Sequence, residues 1–243
     1  MQYTRLGTTG MTVSRICFGC MSYGDGKWRE WTLGENEARE HFALALEAGV
    51  NFFDTADVYS IGASSMAAWQ FSKALYTAKE YSWHKFVAMQ NHYNLIYREE
   101  EREMNPLCID QGVALIPWSP LARGLLEGER ARNPESGDTK RAQTDKVAKN
   151  LYFHENDYEV AKAAQKVAQE HGVTPTQIAC AWILQAPGVT APIIGATKTY
   201  HLKEIFEAVD ITLTPEQVAA MEEPYQPHPM RGYVQPSPAK MVK

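Results

Sequence analysis

An α/β fold with a parallel, barrel-type sheet is predicted by three observations. Strand and helix segments alternate along the whole chain. The strands are continuous apolar runs, as strands covered by helices on the outside must be. No Gly-x-Gly-x-x-Gly turn follows the first strand, which turns the choice away from an open dinucleotide-type sheet. The 243 residues lie close to the roughly 250 of a single α/β barrel, so one domain is expected over 1–243, with a Pro-rich tail at 224–243.

Gln2 to Phe18 reads as a hairpin turning at Gly7-Thr8-Thr9-Gly10, followed by an apolar strand from Val13 to Phe18. Glu35 to Ala48 is predicted as a helix from Ala38, Phe42, Ala45 and Ala48, which recur three or four apart. Gly49 closes it, and a buried strand, Val50 to Phe53, begins at once. Ser64 and Ser65 are suitable N-caps for a helix from Met66 to Glu80, with Trp69, Phe71 and Leu75 available for burial. Phe86 to Met89 is the next strand, Glu99 to Asp110 a helix closed by Gly112, and Val113 to Trp118 another strand. Ala122 to Leu151 is charged and broken by Pro134 and Gly137, so it reads as a long loop of the kind that forms lids or binding segments. Helices follow at Tyr158 to His171 and at Pro175 to Gln185, the second with Thr174 as N-cap and Pro175 in first position. Thr190 to Ile194 is a strand, and Leu202 to Val209 and Pro215 to Glu222 are helices. The tail after Glu223 contains five prolines and reads as a loosely packed strap.

Composition narrows the function classes. Hydrophobic residues make up 44% and charged residues 22%, which excludes a disordered or collagen-like chain. The net charge of −5 argues against nucleic acid or an anionic membrane as partner, since either needs a clustered basic face. No apolar run approaches the roughly 18 residues of a membrane span, and Met1-Gln2-Tyr3-Thr4-Arg5 is followed by no apolar signal region. Cys17, Cys20, Cys108 and Cys180 lack the spacing of a zinc site and read as reduced thiols of a cytoplasmic protein. No metal is expected, and the methionines read as core filler.

In a barrel, chemistry sits at the carboxyl ends of the strands. Those ends carry Gly19-Cys20-Met21, Asp54-Thr55-Ala56-Asp57-Val58-Tyr59, Gln90-Asn91-His92-Tyr93-Asn94, Trp118-Ser119-Pro120-Leu121-Ala122-Arg123-Gly124 and Ile194-Gly195-Ala196-Thr197-Lys198. The Asp54 to Tyr59, Trp118 to Leu121 and Pro192 to Ala196 segments, in this order, resemble the aldo-keto reductase family over nearly the whole chain. The resemblance implies a (β/α)8 barrel that reduces aldehydes or ketones with NADPH, NADH being the alternative. It implies Tyr59 as proton donor to the carbonyl oxygen, accompanied by Asp54. Hydride addition builds an alkoxide that a positioned acid must quench. A free phenol, with a pKa of about 10, is too weak near neutrality without a neighbouring cation.

The family supplies that cation as a lysine ending the third strand, and a histidine ending the fourth orients the carbonyl. Here Ser60 runs directly into Ile61-Gly62-Ala63-Ser64, a segment that resembles the end of the fifth strand or equally the glycine-containing loop after the tyrosine. The chain is therefore expected to lack the third and fourth β/α units together with the second helix and most of the fifth strand, roughly 80 to 90 residues at about 30 per unit. Such a barrel must shrink, open or pair with another chain, so a homo-oligomer is allowed for. His92, at a strand end, is the alternative proton donor. Three readings follow: a working reductase of small carbonyl substrates, an NADP(H)-binding or regulatory protein impaired in catalysis, and a truncated chain held only by oligomerisation.

The remaining site residues follow from the same resemblance. Trp118 sits where a nicotinamide-stacking aromatic falls, unless it is plain core. Gln90 suits a hydrogen bond to the carboxamide or is a buried glutamine satisfied by backbone. Ser64, with Ser65, matches the carboxamide-binding pair if Ile61 to Ser65 ends a fifth strand. Gly19 and Met21 lie at the first strand end. Ser119, Pro120, Leu121 and Gly124 approach the pyrophosphate through backbone, and Arg123 adds charge. Ile194, Gly195, Thr197 and Lys198 precede a helix amino terminus that welcomes phosphate, with Lys198 suited to the 2′-phosphate. His201 and Glu204 face the adenosine end, and Ile205 departs from the polar residue often found there. The Trp28/Trp31 pair reads as a substrate-facing loop or packing.

Overall fold

The computed structural model describes residues 1–24, 32–55, 63–127 and 146–230. Strands β1 (Tyr3–Arg5) and β2 (Thr12–Ser14) form the antiparallel hairpin, with Thr4 opposite Val13. The apolar run expected as one strand from Val13 to Phe18 is two: β3 (Cys17–Gly19) belongs to a different sheet. The break falls at Arg15 and Ile16. Arg15 N–H still donates to Gln2 O (2.9 Å), whereas Cys17 N–H donates to Pro192 O (3.0 Å). The Arg15 guanidinium donates to the carbonyls of Leu184 and Val189 and so holds the crossover.

β3 lies between β4 (Phe53–Asp54) and β7 (Ile193–Ile194), parallel to both, with Gly19 opposite Asp54 and Phe18 opposite Ile194. A second parallel pair, β5 (Ala88–Met89) and β6 (Ala114–Leu115), joins them through bridges from Leu115 to Val189 and from Trp118 to Ile193. Ser64 pairs with Gln90 on the far side of β5. The resulting parallel order is β4, β3, β7, β6, β5 and the Ser64 segment. Among the described residues it does not close into a ring. All carboxyl ends share one rim, and that is where the sequence concentrates its polar groups.

The helices are α1 (Glu35–Glu47), α2 (Ala68–Glu80), α3 (Met104–Gln111), α4 (Lys146–Leu151), α5 (Glu155–His171), α6 (Pro175–Gln185), α7 (Thr199–Glu207) and α8 (Pro215–Glu222). Gly49 (φ +86°) and Gly112 (φ +62°) close α1 and α3 in the left-handed conformation. Thr174-Pro175-Thr176-Gln177 and Thr214-Pro215-Glu216-Gln217 form the same capping box. In each, the glutamine Oε1 accepts from the threonine N–H at 3.0 Å. α6 is buried from Thr176 to Leu184, because it packs on both α5 and α7.

Five expectations are corrected. α2 starts at Ala68 with Ala67 as N-cap, its N–H donating to Gln70 Oε1 (3.1 Å), so Ser64 and Ser65 are not caps. Trp69 is 52% exposed, since Phe71, Leu75 and Ala78 already fill the inward face. The helix expected from Glu99 splits into a 3-10 turn, Glu99–Glu101, and α3. Pro106 has no N–H to give to the preceding turn and is tolerated only near a helix start. The tail is not loose through residue 230. Tyr225 Oη and His228 N–H both donate to Glu99 Oε1 (2.6 and 2.8 Å), and His228 is 8% exposed. The expected loop at 122–151 has structured ends, a 3-10 turn at Ala122–Glu127 and α4. Among the described residues no helix is long and apolar enough to cross a membrane.

Glu100 is buried beside Glu99, and burial first, then that neighbouring charge, pushes its carboxyl up to about 7 from 4.5. A carboxyl raised in the folded state adds stability at acid pH that is lost as pH climbs from about 4.5 to about 7. Glu100→Gln should therefore match the wild type at pH 4 and exceed it at pH 8 by about 3 kcal/mol. Urea unfolding at the two pH values measures this; equal stabilities at pH 8 would contradict it.

Candidate functional site

Asp54 ends β4 on the rim, half-buried, and accepts from Gln90 Nε2 at 3.1 Å. Burial raises its carboxyl pKa, and the amide bond only partly opposes this. Among the described residues no lysine or arginine forms an ion pair with it. Gln90 is held by its backbone, donating to Ala63 O (2.9 Å) and accepting from Ser65 N–H (3.1 Å). Its side chain is thereby free to cross to β4. One N–H of its amide goes to Asp54, and the carboxamide retains a second N–H and its Oε1.

Trp118 ends the β6 segment, where its N–H donates to Asn91 O (2.9 Å). The indole Nε1 donates to Ser65 Oγ at 2.9 Å. One indole face stacks on His92, ring centroids 4.3 Å apart at 13°. The ring is half-buried and packs against the main core, which makes it a fixed shelf with some accessible surface. Ser64 and Ser65 stand beside Gln90 and Trp118 at a strand end.

Beyond Trp118 the backbone is turned repeatedly into the left-handed region, at Ser119 (φ +59°), Ala122 (+47°), Arg123 (+54°) and Gly124 (+94°). For the non-glycine residues this costs about 1–2 kcal/mol each, so surrounding contacts must hold it. Asn94 Nδ2 donates to Ser119 O (2.9 Å), and Pro120, Leu121, Ala122 and Gly124 are buried. Within this segment Ala122 N–H donates to Ser119 O (3.0 Å) and Gly124 N–H to Leu121 O (2.9 Å), so these two amides are satisfied by the turn itself.

On the neighbouring strands, Gly19 and Gly195 meet face to face. A Cβ on Gly19 would lie 2.9 Å from Ile193 Cγ2, and one on Gly195 3.1 Å from Gly19 O. A side chain at either position would press on Ile193 or on the Gly19 carbonyl, and Gly195 lies shortly before α7. Lys198 is the exposed N-cap of that helix and makes no side-chain cap bond, leaving the amino-terminal N–H groups available to an anion. Ile194 is buried behind the rim, Thr197 and His201 are half-buried, and Met21 lies in a 3-10 turn at Cys20–Ser22. Glu204 is half-buried, and burial raises its carboxyl pKa. Ile205 is 1% exposed and faces the main core, which explains an apolar residue there.

Tyr59 and the Ser60–Ile61 junction lie outside the described residues, as do Trp28 and Trp31. His92 as alternative proton donor is corrected. It is 1% exposed beneath Trp118, and burial first, then Arg123 and His228, drives its pKa down to about 3. A neutral, covered imidazole cannot deliver a proton at the rim. Sequence reasoning missed Asn94 and Tyr152. Asn94 Oδ1 accepts from Ile96 and Tyr97 N–H (both 2.9 Å), a turn signal legible in the sequence. Tyr152, which lies just past α4, gave no signal.

Similarity to known proteins covers most of the chain. The aldo/keto reductase family model matches residues 15–65 and 60–226. The chain is 30% identical to the versiconal hemiacetal acetate reductase of Aspergillus parasiticus over 340 residues, covering 93% of this chain and 98% of that protein. It is 41% identical over 181 residues to a putative aryl-alcohol dehydrogenase of Schizosaccharomyces pombe, and 39% identical over 174 residues to the aldo-keto reductase AMT2 of Alternaria alternata. The chain spans about half the length of these last two, 50% and 46%.

Proposed function

This chain belongs to the aldo/keto reductase family, and from that premise we propose that it reduces small aldehydes or ketones with NADPH, NADH being the alternative donor. One observation carries the reading. Asp54, Gln90 and Trp118 stand at the ends of parallel strands on one rim, Trp118 tied through Ser65 and Asp54 tied to Gln90. The left-handed turn at 119–124 and the amino end of α7 follow directly from strands of the same sheet.

The residues present suit a nicotinamide dinucleotide. Trp118 offers a rigid aromatic face, the turn offers its remaining backbone donors to a pyrophosphate, and Lys198 offers charge to a 2′-phosphate. Gly19 and Gly195 keep the strand ends bare where a Cβ would intrude. The bound group supplies hydride; the chain supplies position and the proton. Tyr59 Oη gives that proton to the carbonyl oxygen, with Asp54 as its neighbouring carboxylate.

We take the chain to lack the third and fourth β/α units after Ser60. The two matches to the family model meet and overlap at residues 60–65, and an alignment of 340 residues is longer than the 243-residue chain itself. Both support a gap inside the chain. A second copy completing the open sheet is the corresponding quaternary proposal.

A second reading, an NADP(H)-binding or regulatory protein impaired in catalysis, is favoured by the Asp54–Gln90 bond. The resemblance gives the family a lysine and a histidine at the third and fourth strand ends, and Asp54 here has a neutral amide as its partner in place of a cation. Titrating NADPH fluorescence and assaying 4-nitrobenzaldehyde turnover separates the two. Binding with turnover supports the reductase, binding alone selects the second reading, and neither overturns the cofactor site altogether.

A further inference from the structure

A buried polar cluster underlies Trp118 and takes no part in the chemistry above. His92 lies flat between Trp118 and Tyr97, with centroids 4.3 and 4.1 Å away and both planes within 13°. Its Nε2 is 2.5 Å from Tyr152 Oη. The same oxygen accepts from Asn94 Nδ2 (3.0 Å) and lies 3.1 Å from Ser119 Oγ. Which of His92 Nε2 and Tyr152 Oη donates depends on the imidazole tautomer. His92 Nδ1 is buried without a partner. The cluster thus reaches two rim features at once, the plane of Trp118 and the left-handed backbone at Ser119.

We propose that His92 and Tyr152 are positioning residues for the dinucleotide: the imidazole backs the Trp118 ring against the nicotinamide, and the phenol holds the Ser119 turn against the pyrophosphate. The inference rests on the cofactor reading above and adds two residues that touch neither cofactor nor substrate. Aromatic stacking of this kind is directional. An aliphatic side chain of similar size would fill the space under Trp118 without fixing its plane.

The test compares two probes, NADPH and 2′-phospho-ADP-ribose, which keeps the pyrophosphate and lacks the nicotinamide. His92→Leu should raise the Kd for NADPH about 5–10-fold and leave that for 2′-phospho-ADP-ribose within about twofold. His92→Phe restores a ring and should rescue NADPH binding, whereas His92→Gln keeps a donor without a ring and should behave like leucine. Tyr152→Phe should weaken both probes by about 5–10-fold. Melting temperatures of all four variants separate these effects from general loosening. If His92→Leu and His92→Gln weaken both probes equally, or weaken neither, the pair is structural and the proposal falls. Wild-type protein that binds neither probe would instead defeat the cofactor reading itself.

Discussion

Tyr59→Phe is expected to lower carbonyl turnover by about 10²–10⁴-fold while leaving the Kd for NADPH unchanged. Reduction of a carbonyl leaves negative charge on oxygen, and the phenylalanine ring fills the same volume with no proton to give. The residue stands five positions beyond Asp54, whose backbone is pinned opposite Gly19 at the end of β4. Burial without a paired cation raises the Asp54 carboxyl. The proposed cofactor contacts lie on other residues, so the loss is expected to fall on the proton-transfer step. The measurement is kcat with 4-nitrobenzaldehyde at saturating NADPH, followed by cofactor depletion. Unchanged turnover in the phenylalanine variant of an active protein would remove Tyr59 from the reaction.

The largest loss of stability is expected at Asp157→Ala, about 3 kcal/mol. Asp157 is fully buried at the start of α5, where its Oδ2 accepts from His154 N–H (2.9 Å) and its Oδ1 faces His228 Nε2 (2.7 Å). Alanine removes the reciprocal half of a helix cap, worth about 1 kcal/mol. It also strips the remaining partner from an imidazole whose Nδ1 already has none, at about 1–3 kcal/mol. In a domain of this size the melting temperature should fall by about 6–12 °C. Asp157→Asn keeps an acceptor for the cap and should lose less. The double variant with His228→Ala should lose less than the two single variants together, because the partners share one bond. Additive losses would show that the tail is held by Glu99 alone.

Much of the element order was legible because it depends on local rules. Thr-Pro-x-Gln at 174–177 and 214–217 marks two helix starts through one capping geometry, and Gly49 and Gly112 mark two ends. Where the reading failed, a distant group had intervened. The Val13 to Phe18 run looks uniform, but Arg15 is drawn to the carbonyl end of α6 and divides it. Trp69 has the apolarity of a core residue and stays outside because Phe71 and Leu75 occupy the space. The Pro-rich tail lacks any local structure signal, and it is tied down through residue 230 by Glu99 and Asp157, 129 and 71 positions from His228.

The candidate site divides in the same way. Residue types at strand ends were readable, since a parallel sheet puts all its carboxyl ends on one rim and polar residues there stand out against apolar runs. Which of those groups meet was decided in three dimensions. Gln90 turned to Asp54, Ser65 took the indole N–H of Trp118, and His92 went under the ring instead of toward the rim. Sequence by itself determined family, class and the position of the rim, because these rest on periodicity and motif order within short windows. The tertiary structure alone decided partners and protonation, because a hydrogen bond or a desolvated imidazole depends on groups brought within 3 Å from elsewhere in the chain, and no local pattern encodes that distance.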